Sequence, residues 1–297
     1  MAQTSSLPVP VRRVANRALA ATRRARWIRK AKTARHYGAS LSDPVALRYV
    51  LTDPELDNFT YELANEDELA QVVGSALGVA PAEVTRYVEE AKADPVLQRL
   101  PHRPLSQKLR PHYARRLGWY ATARILKPKL IAETGIHSGL GSVLLLRALQ
   151  RNTEEGSPGE LWSFDTNPHA GWLVPPALRE GWHPVYGFTY DTLGPALEGK
   201  RVGMVIHDSD HSYECESFEL REATRHAAPV LALVSDNAHV TTALPDLSQE
   251  LGIDSHVFRE KPAEHFYPGA ALGIAVLRGG AGGSAVHGDQ AVEHQSL

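Results

Sequence analysis

The period of the apolar positions changes several times along the chain, and each change marks a predicted element. From Val11 to Ala34, residues Val11, Val14, Ala18, Ala21, Ala25 and Ile28 recur at steps of three and four, which predicts a helix. Asp43 and Pro44 predict a helix start over Val45–Leu51. Asn65-Glu66-Asp67-Glu68 then supplies an N-cap and a first turn of acids ahead of Leu69, Val72, Val73, Ala76 and Leu77, and Gly78 ends that helix. Pro81 opens the next, through Val84, Tyr87, Val88 and Ala91, and Asp94-Pro95 breaks it. A linker with three prolines, Pro101–Pro111, leads to a helical pattern over His112–Leu126, with Tyr113, Leu117, Tyr120, Ala121 and Ile125 on one face.

From Leu130 the pattern alternates between short apolar runs and helical stripes. Leu130-Ile131-Ala132 precedes the turn Glu133–Ser142, and Val143–Leu149 reads as a helix. Further strands are predicted at Leu161–Asp165, Pro184–Phe188, Val202–Asp208 and Pro229–Val234. A helix carrying Phe218, Leu220, Ala223 and Ala227 separates the last two, and Leu244–Leu251 follows them. Strand, glycine turn and helix in that order build an open α/β sheet. The predicted organisation is a basic arm over 1–42, a helical cap or linker over 43–110, an α/β domain over 111–278 and a disordered tail over 279–297.

Charge changes that picture at one end only. The net charge is −2, yet residues 1–42 hold ten Lys/Arg and no acid, which leaves an acidic body of balance −12. The arm reads as a solvated helix docked by its alanines, or as a group for an anionic surface, nucleic acid or an acidic partner, or as a transit peptide. Cys215 is the only cysteine, so disulfides within the chain are excluded, and a cytoplasmic setting is expected. No run of apolar residues is long enough to span a bilayer, and no signal peptide is evident. A homo-oligomer is expected.

Candidate chemistry gathers at the predicted strand ends. Gly135, Gly139 and Gly141 let the backbone turn sharply and let a ligand approach it. The helix start behind them, with Ser138 and Ser142, offers free N–H groups. Glu133 opposes a phosphate but suits a cationic or hydroxyl-rich ligand, such as S-adenosylmethionine (SAM). Asp165, ending the second strand, has the place of an acid that accepts from a ribose diol. Asp208 and Asp236 end neighbouring strands, and with Asn237 they form a set of hard oxygen donors suited to Mg²⁺. Asp208 thus borders both the cofactor and the metal. His211, three residues past Asp208, is a candidate general base, with Asp210 as the alternative.

The pattern Glu133-x-Gly135-x-x-x-Gly139 resembles the first motif of class I SAM-dependent methyltransferases. Asp208-x-x-His211 followed by Asp236-Asn237 is similar to the metal-dependent O-methyltransferases of the catechol and caffeoyl-CoA type, which carry Lys where this chain has His211. The string Asp208-Ser209-Asp210-His211-Ser212-Tyr213-Glu214 resembles one found in bacterial methyltransferases that tailor macrolide sugars and cephalosporins. The resemblance covers residues 112–278. It implies a Rossmann-like seven-stranded sheet, closed by an antiparallel hairpin of Ser255–Arg259 and Gly273–Leu277, behind an N-terminal helical region. It also implies adenine contacts near Thr189 and Mg²⁺ on Asp208, Asp236 and Asn237. The expected activity is methylation of a hydroxyl on a small molecule or glycoside. The rival expectations are a metal-dependent hydrolase built on His207, Asp208, Asp210 and His211, and a SAM-binding module without turnover.

Overall fold

The computed structural model describes residues 27–36, 38–40, 42, 47, 61–99 and 111–279. Most of the basic arm, the helix expected over Val45–Leu51 apart from Leu47, and the tail from residue 280 lie outside them.

Residues 27–36 are helical, at the end of the helix expected over Val11–Ala34, and two further helices follow, α1 (Glu66–Leu77) and α2 (Pro81–Ala93). A short 3₁₀ turn, Ala114–Arg116, then leads into α3 (Leu117–Leu126). The sheet alternates with helices from there: β1 (Leu130–Thr134), α4 (Leu140–Glu154), β2 (Glu160–Asp165), β3 (Trp182–Tyr186), α5 (Thr189–Leu197), β4 (Val202–His207), α6 (Tyr213–Arg225), β5 (Ala227–Asp236), α7 (Ala243–Leu251), β6 (Ser255–Arg259) and β7 (Ala271–Arg278). The seven strands lie in the order β3-β2-β1-β4-β5-β7-β6. β7 runs antiparallel to both its neighbours, and the other pairs are parallel.

Central strands of such a sheet are buried on both faces, so they read as continuous apolar runs. In β4, Met204 and Ile206 join the core shared with α1–α4, while Val205 joins the core shared with α6. Leu69 and Val73 of α1 and Val84 and Val88 of α2 lie in the first of these cores. The helices before the sheet are therefore part of one of its two covering layers.

Three boundaries differ from the sequence reading, each for a local reason. The regular helix expected from His112 starts only at Leu117, because Tyr113 and Ala114 take left-handed backbone (φ 60° and 46°). β3 begins at Trp182, where Trp182 and His183 pair with Leu161 and Trp162. Its internal Pro184 is tolerated because β3 is an edge strand. β5 begins at Ala227, ahead of Pro229, which sits where the β4–β5 register shifts.

The register sets the functional edge. Thr134 lies beside His207, His207 beside Ser235, and Asp236 beside Leu272 at the start of β7. The ends of β1, β2, β4, β5 and β6 thus share one edge. β1 lies between β2 and β4, so the chain reverses its winding there and leaves a crevice.

Candidate functional site

The crevice is floored by the turn between β1 and α4. Gly135 has φ 87°, and a Cβ on it would lie 2.0 Å from the Asp208 carbonyl oxygen. Only glycine lets the two strand ends approach this closely. His137 is also left-handed (φ 47°), and its carbonyl accepts from the Gly171 N–H at 2.9 Å. The Ser138 carbonyl accepts from the Leu173 N–H at 2.9 Å, so the segment after β2 is laced to the turn.

Glu133 is 1% exposed and lies beneath this turn. Its Oε2 accepts from Ser142 Oγ at 2.6 Å and from Ser163 Oγ at 2.7 Å, and Trp182 Nε1 donates to that second hydroxyl at 3.0 Å. Asp165 is half-buried at the end of β2. Its Oδ2 accepts from the Ile136 and His137 N–H groups at 3.0 and 2.8 Å, and its Oδ1 accepts from the Asn167 N–H at 2.8 Å. Glu133, Asp165, Ser142 and the glycine turn are therefore one bonded unit around the crevice. Thr189, the first residue of α5, turns its hydroxyl to Glu219 of α6.

Glu219 is fully buried and joins several elements. It accepts from Thr134 Oγ1 at 2.5 Å, from His207 Nδ1 at 2.6 Å and from Ser209 Oγ at 2.9 Å. Burial pushes its pKa up, but these donors, His207 foremost, outweigh burial and hold it below the usual carboxylate range. Cys215 Sγ donates to the same carboxylate at 3.4 Å. Burial and that neighbouring charge push the thiol up to about 11.

The acids at the ends of β4, β5 and β6 meet two arginines. Arg115 is 1% exposed and donates from Nε to Asp236 Oδ1 at 2.9 Å and from Nη2 to Asp236 Oδ2 at 2.5 Å. Its Nη1 donates to Glu260 Oε1 at 2.9 Å, and Nη2 also reaches Asn237 Oδ1 at 3.3 Å. Arg116 Nη2 bridges Asp208 Oδ2 at 3.2 Å and Asp236 Oδ2 at 3.0 Å, and its guanidinium lies over the Trp119 ring. Tyr61 OH donates to Glu260 Oε1 at 2.7 Å. Burial raises the Asp236 pKa, but Arg115 and Arg116 overcome it and bring the carboxyl to about 2. Asp208 lacks the bidentate partner, so burial and the Asp236 charge raise its pKa.

His211 completes the group at its open side. Arg115 fixes the Asn237 amide, with Oδ1 toward the guanidinium, so Nδ2 donates to His211 Nε2 at 2.8 Å. That bond places the imidazole proton on Nδ1. Asp208 Oδ1 stands 3.8 Å from the same nitrogen. Burial lowers the His211 pKa, which favours a neutral ring near pH 7. Asp210 is exposed and forms no part of this group.

The oxygen donors expected to hold Mg²⁺ do not fit it as they stand. Arg115 bonds Asp236 and Asn237, and Arg116 bonds Asp208 and Asp236. Two fixed cations beside these oxygens oppose a third. The hydrolase cluster is not assembled either: His207 faces Glu219 in the core, and Asp210 points to solvent. Among the described residues, no group of three or more His, Cys, Asp or Glu could hold an ion.

Sequence reading passed over Arg115, Arg116, Glu219, Glu260 and Tyr61. The arginines stand adjacent, just behind a proline-rich linker, at the start of the helix, a position that by itself reads as solvated. Tyr113, Ala114, His137 and Asn237, four non-glycine residues with positive φ, flank the same edge, where backbone strain commonly marks function.

Residues 132–238, from within β1 to just past β5, match the family model described as a methyltransferase domain. Over this segment the chain is similar to methyltransferase domains. The strand order, with a lone antiparallel β7, matches the seven-stranded sheet that the resemblance implied. No curated protein sequence matches the chain. Among solved structures, an O-methyltransferase from Bacillus cereus in complex with SAH is 12% identical, with a TM-score of 0.44 over 71% of this chain and 97% of that one. The O-methyltransferase TomG from Streptomyces achromogenes, involved in tomaymycin synthesis and in complex with SAM, is 14% identical, with a TM-score of 0.44 over 73% and 92%. A methyltransferase from Geobacter sulfurreducens is 17% identical, with a TM-score of 0.40 over 65% and 87%.

Proposed function

We propose that this protein is a SAM-dependent methyltransferase that transfers the methyl group to a hydroxyl of a small molecule or glycoside. Glu133, Gly135, Ser138, Gly139, Gly141 and Ser142 would hold the methionine part. Asp165 would take the ribose hydroxyls on the lone pairs left beside its backbone bonds, and Thr189 would lie near the adenine. Asp208 would border the methyl group.

The observation that carries the reading is the position of His211. Its ring, which burial biases toward the neutral form, is held against Asp208 and Asn237, and the Asp208 backbone touches the glycine turn. The acceptor O–H would give its proton to Nε2 as Asn237 Nδ2 releases that nitrogen. The oxygen then attacks the methyl carbon in line, the C–S⁺ bond breaks, and sulfur keeps the electron pair. Positioning the two reactants supplies most of the acceleration. Magnesium assistance was expected, but the arginines on its donor set argue against it, and no step here is routed through an ion.

The test uses labelled SAM and a fractionated metabolite extract. His211→Ala should lower transfer about 10²- to 10⁴-fold while calorimetry finds SAM affinity little changed. Asp210→Asn should be mild. A severe Asp210→Asn with a mild His211→Ala would move the base to Asp210.

A further inference from the structure

The disagreement between an oxygen-donor set suited to a divalent ion and the two arginines bonded to it has a consequence for the site. We infer that Arg115 and Arg116 stand in for the ion as the site's fixed positive charge, so the site takes up no divalent metal and Arg116 faces the acceptor as its electropositive group. The inference rests on the hydroxyl-methylating reading above.

Three observations converge. The first is geometry: Arg116 Nη2 lies within 3.2 Å of an oxygen of both Asp208 and Asp236, where a single ion bridging the two carboxylates would have to sit. The second is rigidity. Arg115 is fully buried and held by Asp236 on one side and Glu260 on the other, with Glu260 also accepting from Tyr61 and from the Arg115 and Ala270 N–H groups. A planar guanidinium used bidentately is a fixed device, unlike a flexible ammonium. The third is placement. Arg116 is held over Trp119, whose ring lies so close to the cofactor turn that a Cβ on Gly141 would come within 2.9 Å of it, so the charge lies at the crevice and not on a remote face. The side chain of Asp208 is 21% exposed, so the group opens to the crevice there.

Charge bookkeeping agrees. Asp208, Asp236 and Glu260 face Arg115 and Arg116, and both cations are already bonded to the carboxylates. An ion would have to displace a guanidinium from a buried bidentate bond. A guanidinium, unlike an ion, cannot leave the chain or be taken by a chelator. A hydroxyl that begins to carry negative charge meets a donor already in place, which is how preorganised groups stabilise a transition state.

Mn²⁺ titration followed by electron paramagnetic resonance tests this on the full chain without knowledge of the acceptor, with SAM calorimetry run beside it. Wild-type protein should bind SAM and leave Mn²⁺ free up to millimolar concentration. The pair Arg115→Gln/Arg116→Gln frees the oxygens and should take up Mn²⁺ at least about tenfold more tightly than wild type, an uptake that Asp236→Asn should abolish. If the double variant does not fold, Arg116→Gln alone carries the test, since it frees Asp208 and one oxygen of Asp236. Wild-type binding of one Mn²⁺ that is lost in Asp236→Asn would overturn the inference. So would a folded, SAM-binding Arg116→Gln variant with no more uptake than wild type. Failure of wild type to bind SAM would sink the cofactor reading instead, which the calorimetry distinguishes.

Discussion

At the scale of single residues, two side chains have testable chemistry apart from the proposed base. Asp165 is bonded through Oδ2 to two N–H groups of the glycine turn. Asp165→Ala therefore loses the proposed ribose contact and loosens the turn together. SAM affinity should fall about tenfold to a hundredfold, the value of one or two charge-assisted hydrogen bonds. Unchanged affinity by calorimetry would end the ribose role. Cys215 is the second case. Its thiol is buried and pushed up to about 11 by burial and the Glu219 charge, so at pH 7.5 it is protonated. Since only the thiolate reacts, iodoacetamide should leave native protein unlabelled over hours and label it quickly in denaturant. Rapid native labelling would mean that the α6 start opens far more readily than its packing suggests.

At the scale of elements, Asp94 ties the helices before the sheet to the domain. It follows α2, its Oδ1 accepts from the Val96 and Leu97 N–H groups, and its Oδ2 accepts from Arg147 and Arg151 of α4. Burial raises its pKa, but Arg147, the Val96 N–H and Arg151 outweigh burial and lower it. A folded-state pKa below the unfolded one stabilises the fold at pH values above the unfolded value, about 3.9. That contribution is lost as pH falls through the folded value. Asp94→Asn should thus cost about 2–4 kcal/mol at pH 7 by urea unfolding, and the gap should narrow progressively below about pH 4. A gap that stays constant down to pH 2 would show that charge is not what holds this junction. Asp94 also illustrates what was legible in the sequence. As part of Asp94-Pro95 it was read correctly as a helix stop, because backbone preferences act locally. Its partners Arg147 and Arg151 stand more than fifty positions away, and no local pattern names them. The strand ends were legible for the same local reason, since acids after apolar runs stand out at Asp165, Asp208 and Asp236. Arg115 and Arg116 were not, because arginines in a helical stretch normally mark a solvated face. Only the left-handed turn at Tyr113 and Ala114, which no residue type there announces, rolls both inward.

At the scale of the whole molecule, the residues proposed to hold the cofactor all come after Leu130. Deleting residues 1–42 should therefore leave SAM affinity unchanged within about twofold, whatever surface or partner the basic arm meets. A large loss would place part of the arm at the crevice, where its charge would matter directly. Packing argues differently for α1 and α2. They share the apolar core of α3 and α4, and Arg278 of β7 donates to the Leu77 carbonyl at 2.7 Å. Removing them would expose Trp119, Leu144 and Leu272 together. Truncation at residue 110 should give aggregation in place of a smaller folded domain, as sedimentation would report.

The Arg115–Glu260 bond also dictates when the protein can exist. Its partners are 145 residues apart, and Tyr61 is 199 residues from the same carboxylate. At a synthesis rate of about 5–20 residues per second, roughly 7–30 s separate the making of the arginine from the making of its acid. Until β6 and Glu260 have left the ribosome, Arg115 has no second carboxylate, and until β7 follows them β5 has no strand to cover its edge. The nascent chain must wait with that edge open, which is the hazard that chaperones relieve. Chains stalled before residue 260 should remain sensitive to protease, and full-length chains released from the same ribosomes should become resistant in one step.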